Sequence, residues 1–273
     1  MLSIFLLVVL LLFTACTTPQ PDTTTVDEPA VETEEPMDES LWKDGVYTAT
    51  FDHTDGHGWR PKLEITVEGS KITGAWMDYV KPDGSLKSED SGYAEKMKAK
   101  SGTAPSEAYE SLNKQVVEGQ TIEIDALTGA THSLDWFHTM SKALMIQIEA
   151  GNATELVLPM NDVYKASNDA FDSHGWKGTI AITYVDGLIA IVEYNEVNEE
   201  GVLKTEDTEY QENFMDKKGV DIVEAYNTLQ EQLVGKQNPK NIDIVSGATH
   251  ATENFIKLVE DALANRVPYE IEN

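Results

Sequence analysis

The chain repeats itself over most of its length. "HGWRPKLEI" from His57 returns as "HGWKGTIAI" from His174, "DGSLKSED" from Asp83 as "EGVLKTED" from Glu200, and "EAYESL" from Glu107 as "EAYNTL" from Glu224, each 117 residues on. A fourth pair, "TGATH" from Thr128 and "SGATH" from Ser246, lies 118 apart, so one residue is inserted, most simply in "GKQNPKN" against "EGQT". A period this long exceeds the roughly 20–50 residues of a solenoid unit and means duplicated whole domains. The expected boundaries are 41–158 and 159–273, joined through "GNATELVLPMND".

Both halves carry one order of elements. "GVYTATF", "KLEITVEGSKITGAWMDYV" and "TIAITYVDGLIAIVEYN" read as strands and Gly-turn hairpins. "SEAYESLNKQVV" and "IVEAYNTLQEQLV" have helical spacing, with Ser106 expected to cap the first. "TIEIDALTG" and "NIDIVSG" alternate like strands. A helix is expected after each "GATH", its apolar stripe formed by Leu134, Phe137, Met140, Leu144 and Ile148, then by Phe255, Val259, Ala262 and Leu263. The expected class is α+β: tandem small domains, each an antiparallel sheet packed with helices.

Twenty Lys and Arg oppose 48 Asp and Glu, a net charge of −28 that repels phosphate backbones and argues against nucleic-acid binding. The single cysteine, Cys16, excludes an internal disulfide and any CxxC metal site. It follows "LSIFLLVVLLLF", a run shorter than the roughly 20 residues of a membrane-spanning helix and similar to the h-region of a secretion signal. "FTAC" resembles a bacterial lipobox, which implies cleavage after residue 15 and lipidation of Cys16; a plain signal peptide or a membrane-inserted start is the alternative. Residues 16–40, rich in Thr, Pro and acids and without a base, read as a disordered extended tether. The expected location is the outer face of the cell membrane, held by a lipid anchor.

Each "GATH" falls at an expected junction into a helix, where free N–H groups and the helix dipole favour an anion. Gly129 and Gly247 let the backbone approach a ligand, Ala130 and Ala248 leave the next step open, and Thr131 and Thr249 present hydroxyls beside the turn. His132 and His250 follow, but a base on the hydroxyl is not established. An ordinary capped turn accounts for one such motif; two aligned copies, each with an Asp three residues before the Ser or Thr, favour a phosphate site.

The pattern D-x-x-(S/T)-G-A-T, here Asp125, Thr128, Gly129, Ala130 and Thr131, then Asp243, Ser246, Gly247, Ala248 and Thr249, resembles the flavinylation signature of the FMN-binding domain. That domain occurs in the C and G subunits of sodium-pumping and Rnf-type redox complexes. With the lipobox, the tether and two copies, the chain resembles the PplA-type flavoproteins of Gram-positive extracellular electron transfer. The resemblance implies that a flavin transferase joins FMN through its phosphate to Thr131 and Thr249, reading Asp125 and Asp243 as motif acids. It also implies a membrane quinone or NADH dehydrogenase-type donor and an extracellular acceptor such as ferric iron.

Further repeated residues are candidates for the flavin ring: His57, Gly58 and Trp59 with His174, Gly175 and Trp176, and Leu86, Lys87 and Ser88 with Leu203, Lys204 and Thr205. The tryptophans fit hairpin cores equally well, and a lysine there could offset the charge of reduced flavin or simply be solvated. "DHTDGH" hints at a metal, but His53 has no counterpart in the second half and no metal is expected. The expected function is an electron carrier more than a self-contained enzyme. The alternatives are a reductase, which would need a further nucleotide-binding domain, a solute-binding lipoprotein, and a precursor that releases its signal segment as a peptide.

Overall fold

The alternating residues of the first half fold into an antiparallel sheet in the computed structural model, which describes residues 42–270. The apolar start, Cys16 and the acidic tether lie outside the described residues. Strands β1 (Gly45–Phe51), β2 (Arg60–Glu68) and β3 (Lys71–Val80) pair so that Tyr47 lies opposite Ile65 and Ala49 opposite Leu63. The period of two sends Leu63, Ile65 and Val67 of β2 into the core. Helices α1 (Ser91–Ser101), α2 (Pro105–Gly119) and α3 (Thr131–Ala150) follow. A short β4 (Leu156–Leu158) then joins β1 in parallel, giving the order β3-β2-β1-β4, so this sheet is not purely antiparallel.

The second half repeats the order: β5 (Val163–Ser167), β6 (Lys177–Val185) and β7 (Leu188–Val197) form an antiparallel sheet, followed by α4 (Thr208–Lys218), α5 (Ile222–Lys236) and α6 (Thr249–Leu263). The inserted residue falls where a single 3-10 turn, Pro239–Asn241, follows α5. The stripes read from the sequence are buried: Phe137, Met140, Leu144 and Ile148 on α3, and Phe255, Val259 and Ala262 on α6, while Leu263 is half-buried. Each large apolar side chain so buried stabilises the fold by roughly 1.5–3 kcal/mol.

Two sequence expectations change. "TIEIDALTG" and "NIDIVSG" are not strands and join no ladder. Ile122, Ile124 and Leu127 are buried nonetheless, so the alternation records packing rather than pairing. Ser106 does not cap α2: Pro105 is the first helical residue, Ala104 is the cap position, and Glu107 Oε2 accepts from the Ala104 N–H at 2.9 Å.

The described residues belong to one compact unit, and the halves are bonded to each other. After α6 the chain returns to the first half, where Thr54 N donates to Val267 O at 3.0 Å and Tyr269 N to Asp52 O at 2.7 Å. The Tyr164 hydroxyl donates to Thr54 O at 2.6 Å. These contacts reach the end of β1, next to the turn that carries Asp55 and His57.

Candidate functional site

Each "GATH" turn opens a helix. Thr131 and Thr249 are the first residues of α3 and α6, and among the described residues no side chain caps either helix. Both threonines are exposed, as are Asp125 and Asp243 a few residues before them. The turn glycines are required twice over. Gly129 and Gly247 have φ of 69° and 80°, and a Cβ there would meet Ser101 O at 2.8 Å or Val220 Cγ2 at 2.5 Å. The turn is thus pressed against the C-terminal end of α1 in one half and the segment just after α4 in the other.

A cavity opens beside each threonine. The first, about 820 Å³, is lined by Gly129, Ala130, Thr131, His132 and Ser133 from the turn and by His57 and Lys87 from the repeated patches. Tyr79, Tyr109 and the α1 residues Tyr93, Lys96, Met97, Lys100 and Ser101 complete much of its wall, and Asp162, Val163 and Lys165 reach it from the second half. The second, about 360 Å³, is lined by Gly247, Ala248, Thr249 and His250 with Lys204, Glu196, Tyr210, Phe214, Lys218 and Tyr226. Both volumes lie within the roughly 300–1,000 Å³ of small-molecule sites.

Not every candidate faces a cavity. Trp59 and Trp176 are buried, the first with Lys81 Nζ 4.4 Å from its ring, and neither lines the cavity of its half. Gly58 and Gly175 form turns fixed by an acid that the sequence reading passed over. Asp55 Oδ1 accepts from His57 N and Trp59 N, both at 2.9 Å, and Asp172 Oδ1 from His174 N and Trp176 N at 2.8 and 2.9 Å. His174 is exposed and does not line the second cavity. Leu86 and Leu203 bridge back to Val80 and Val197, and Ser88 N donates to Asp78 Oδ1 at 3.2 Å. Leu203 and Thr205 line a separate open cleft on the second sheet.

The electrostatics differ between the halves. Burial pushes the Asp55 carboxyl above its ordinary value, outweighing the Trp59 N–H and the Lys87 cation. Burial acts in the same sense on Asp172, but there the N–H groups of Trp176 and His174, with the Lys204 cation, win and hold it low. Burial also lowers Lys87, against the attraction of Asp55 and Asp78. His132 Nε2 accepts from Trp136 Nε1 at 2.9 Å, so that nitrogen is engaged along α3 rather than as a base on Thr131.

A flavin phosphate fits what is present: an exposed hydroxyl, uncapped helix N–H groups and a buried lysine on each cavity wall. The Tyr226 hydroxyl is buried against the second cavity, beside Glu196 and Tyr194. Tyr79, Tyr93 and Tyr109 offer aromatic surface for a ring in the first.

The family model for the FMN-binding domain matches residues 175–264. The "15 kDa lipoprotein" of Treponema pallidum (strain Nichols) is 33% identical over 114 residues, 41% of this chain and 81% of that protein. The chain belongs to the FMN-binding domain family. Among solved structures, a Clostridium perfringens protein is 34% identical, with a TM-score of 0.42 over 44% of this chain and 98% of its own. A Clostridium thermocellum protein solved by NMR is 25% identical, with a TM-score of 0.28 over 41% and 98%. Family membership makes FMN the cofactor, and the second "GATH" lies inside the matched residues.

Proposed function

We propose that the chain is a surface-tethered electron carrier in which residues 41–158 and 159–273 are both FMN-binding domains, loaded covalently at Thr131 and Thr249. The observation that carries this reading is the duplicated geometry: an exposed threonine on an uncapped helix start, beside a cavity with a buried lysine. In the loading step the threonine oxygen bonds to the FMN phosphorus of FAD, the pyrophosphate bond breaks, and AMP leaves with the hydroxyl proton. A flavin transferase performs it, recognising the exposed Asp125 and Asp243; the chain supplies an accessible hydroxyl and a preformed anion site.

Bound FMN supplies acceptance of two electrons and their release one at a time. The chain orients the ring, holds the phosphate and fixes the cofactor to the surface. The lipobox at Cys16 and the acidic tether support a lipid-anchored protein outside the cytoplasmic membrane, in keeping with the name of the Treponema relative. Electrons would enter from a membrane quinone or an NADH dehydrogenase-type donor and leave to an extracellular acceptor such as ferric iron.

The test is spectroscopic. Protein produced with a flavin transferase is run on a denaturing gel, then reduced and mixed with a soluble ferric chelate. Fluorescence that stays with the polypeptide and rapid reoxidation by the chelate are expected. Colourless protein, or flavin lost on denaturation, would overturn the reading in favour of a solute-binding lipoprotein.

A further inference from the structure

The two cavities differ where the repeat is broken. Position for position, Glu196 stands where the first half has Tyr79, and Asn195 where it has Asp78. Glu196 is buried and ion-paired with the buried Lys204, and its other oxygen accepts from the Tyr194 hydroxyl at 2.9 Å and from Asn254 Nδ2 at 3.3 Å. The Lys204 cation also lies 4.9 Å from the Trp176 ring centre and 4.7 Å from that of Tyr210. Lys87 keeps the aromatic half of this arrangement, 4.1 Å from the Tyr79 ring and 4.6 Å from that of Tyr93. Among the described residues it has no carboxylate in ion-pair contact; Asp55 and Asp78 act on it only at longer range.

The walls differ in the same sense. The first cavity carries Lys87, Lys96, Lys100 and Lys165 against Asp55 and Asp162, while the second carries Lys204 and Lys218 against Glu196. Asp55 accepts from the His57 and Trp59 N–H groups and Asp162 from the Gly56 N–H, each at 2.9 Å, and among the described residues neither is in ion-pair contact with a lysine of the wall. In a chain of net charge −28, a cavity wall with more lysines than acids is a local departure from the surrounding field.

Resting on the reading that both threonines carry FMN, we propose that the two sites are tuned apart. The first favours the negative charge gained on reduction more than the second does, and Glu196 sets the difference. Reduction by two electrons with uptake of one proton from solvent leaves one extra negative charge on the ring. The Lys87 cation, with Asp55 and Asp78 only at longer range, is more available to offset it than the Lys204 cation, which is in direct contact with Glu196. Electrons delivered to either site then settle on the first, which makes Thr131 the holding site and Thr249 the passing site.

The experiment uses the mature chain produced with a flavin transferase, its loading checked by intact mass, in singly loaded forms made by Thr249→Val or Thr131→Val. Potentiometric titration followed by absorbance should place the flavin on Thr131 higher by at least tenfold in its reduction equilibrium, about 30 mV for a two-electron couple. Glu196→Gln should raise the potential at Thr249 and leave that at Thr131 unchanged; Tyr79→Glu should lower the potential at Thr131. Should Tyr79→Glu not fold, Glu196→Gln decides alone. A Glu196→Gln protein that melts lower with both potentials unmoved would reduce Glu196 to a structural role and overturn the proposal. Equal or reversed potentials in fully loaded protein would also overturn it while sparing the covalent reading. Absence of flavin mass on both threonines would overturn the covalent reading itself.

Discussion

The backbone N–H of Gly56 donates to the Asp162 carboxylate at 2.9 Å, so a residue of the second half fixes a cavity turn of the first. The approach leaves no room for a side chain: a Cβ on Gly56 would meet Val163 O at 2.6 Å. Gly56→Ala is therefore expected to destabilise by about 1–3 kcal/mol, as overpacking does. The matching Ser173→Ala, on an exposed turn, should be close to neutral. Thermal melts of the two variants check the contrast.

Loss of charge should cost much more at Lys204 than at Lys87. Lys204→Met strands the buried Glu196 carboxylate and is expected to cost about 3–5 kcal/mol. Lys87→Met removes a buried cation that has no ion-pair partner among the described residues, so its cost should be about 1 kcal/mol or less, mainly lost ring contacts. Urea unfolding of the protein without flavin measures both and is independent of any redox readout.

Asp55 and Asp172 perform the same turn-fixing role but should contribute to stability with opposite pH dependence. The native Asp55 carboxyl is raised, so between its unfolded and folded values the native state holds the extra proton and stability falls as pH rises. The native Asp172 carboxyl is lowered, so its contribution is present above the unfolded value and is lost as pH falls through the folded one. Relative to the parent, Asp55→Asn should gain stability, and Asp172→Asn lose it, on going from about pH 3 to about pH 7, as read from melting temperatures of the variants.

Much of this was legible in the sequence because the repeat carries it. The hairpins, the stripes of α3 and α6, and the threonines at helix starts follow from period and motif. α1 and α4 did not, because neither buries a residue and neither shows an apolar stripe. Their signals were local: Asp90 and Asp207 accept from the N–H groups of Tyr93 and Tyr210 as N-caps, and Gly102 and Gly219 end the helices in left-handed conformations. These helices supply Tyr93, Lys96, Met97 and Lys100 to one cavity and Tyr210, Phe214 and Lys218 to the other. The bonds from Asp162, Tyr164 and Val267 into the first half were invisible for another reason. They join residues far apart in the chain and have no counterpart in the duplication.

The measurement closest to the central claim is the intact mass of the mature protein produced with an active flavin transferase, compared with Thr131→Val, Thr249→Val and the double variant. A gain of two FMN less two waters is predicted, falling to one in each single variant and to none in the double. No gain, or a gain that survives in the double variant, would contradict attachment at these two threonines.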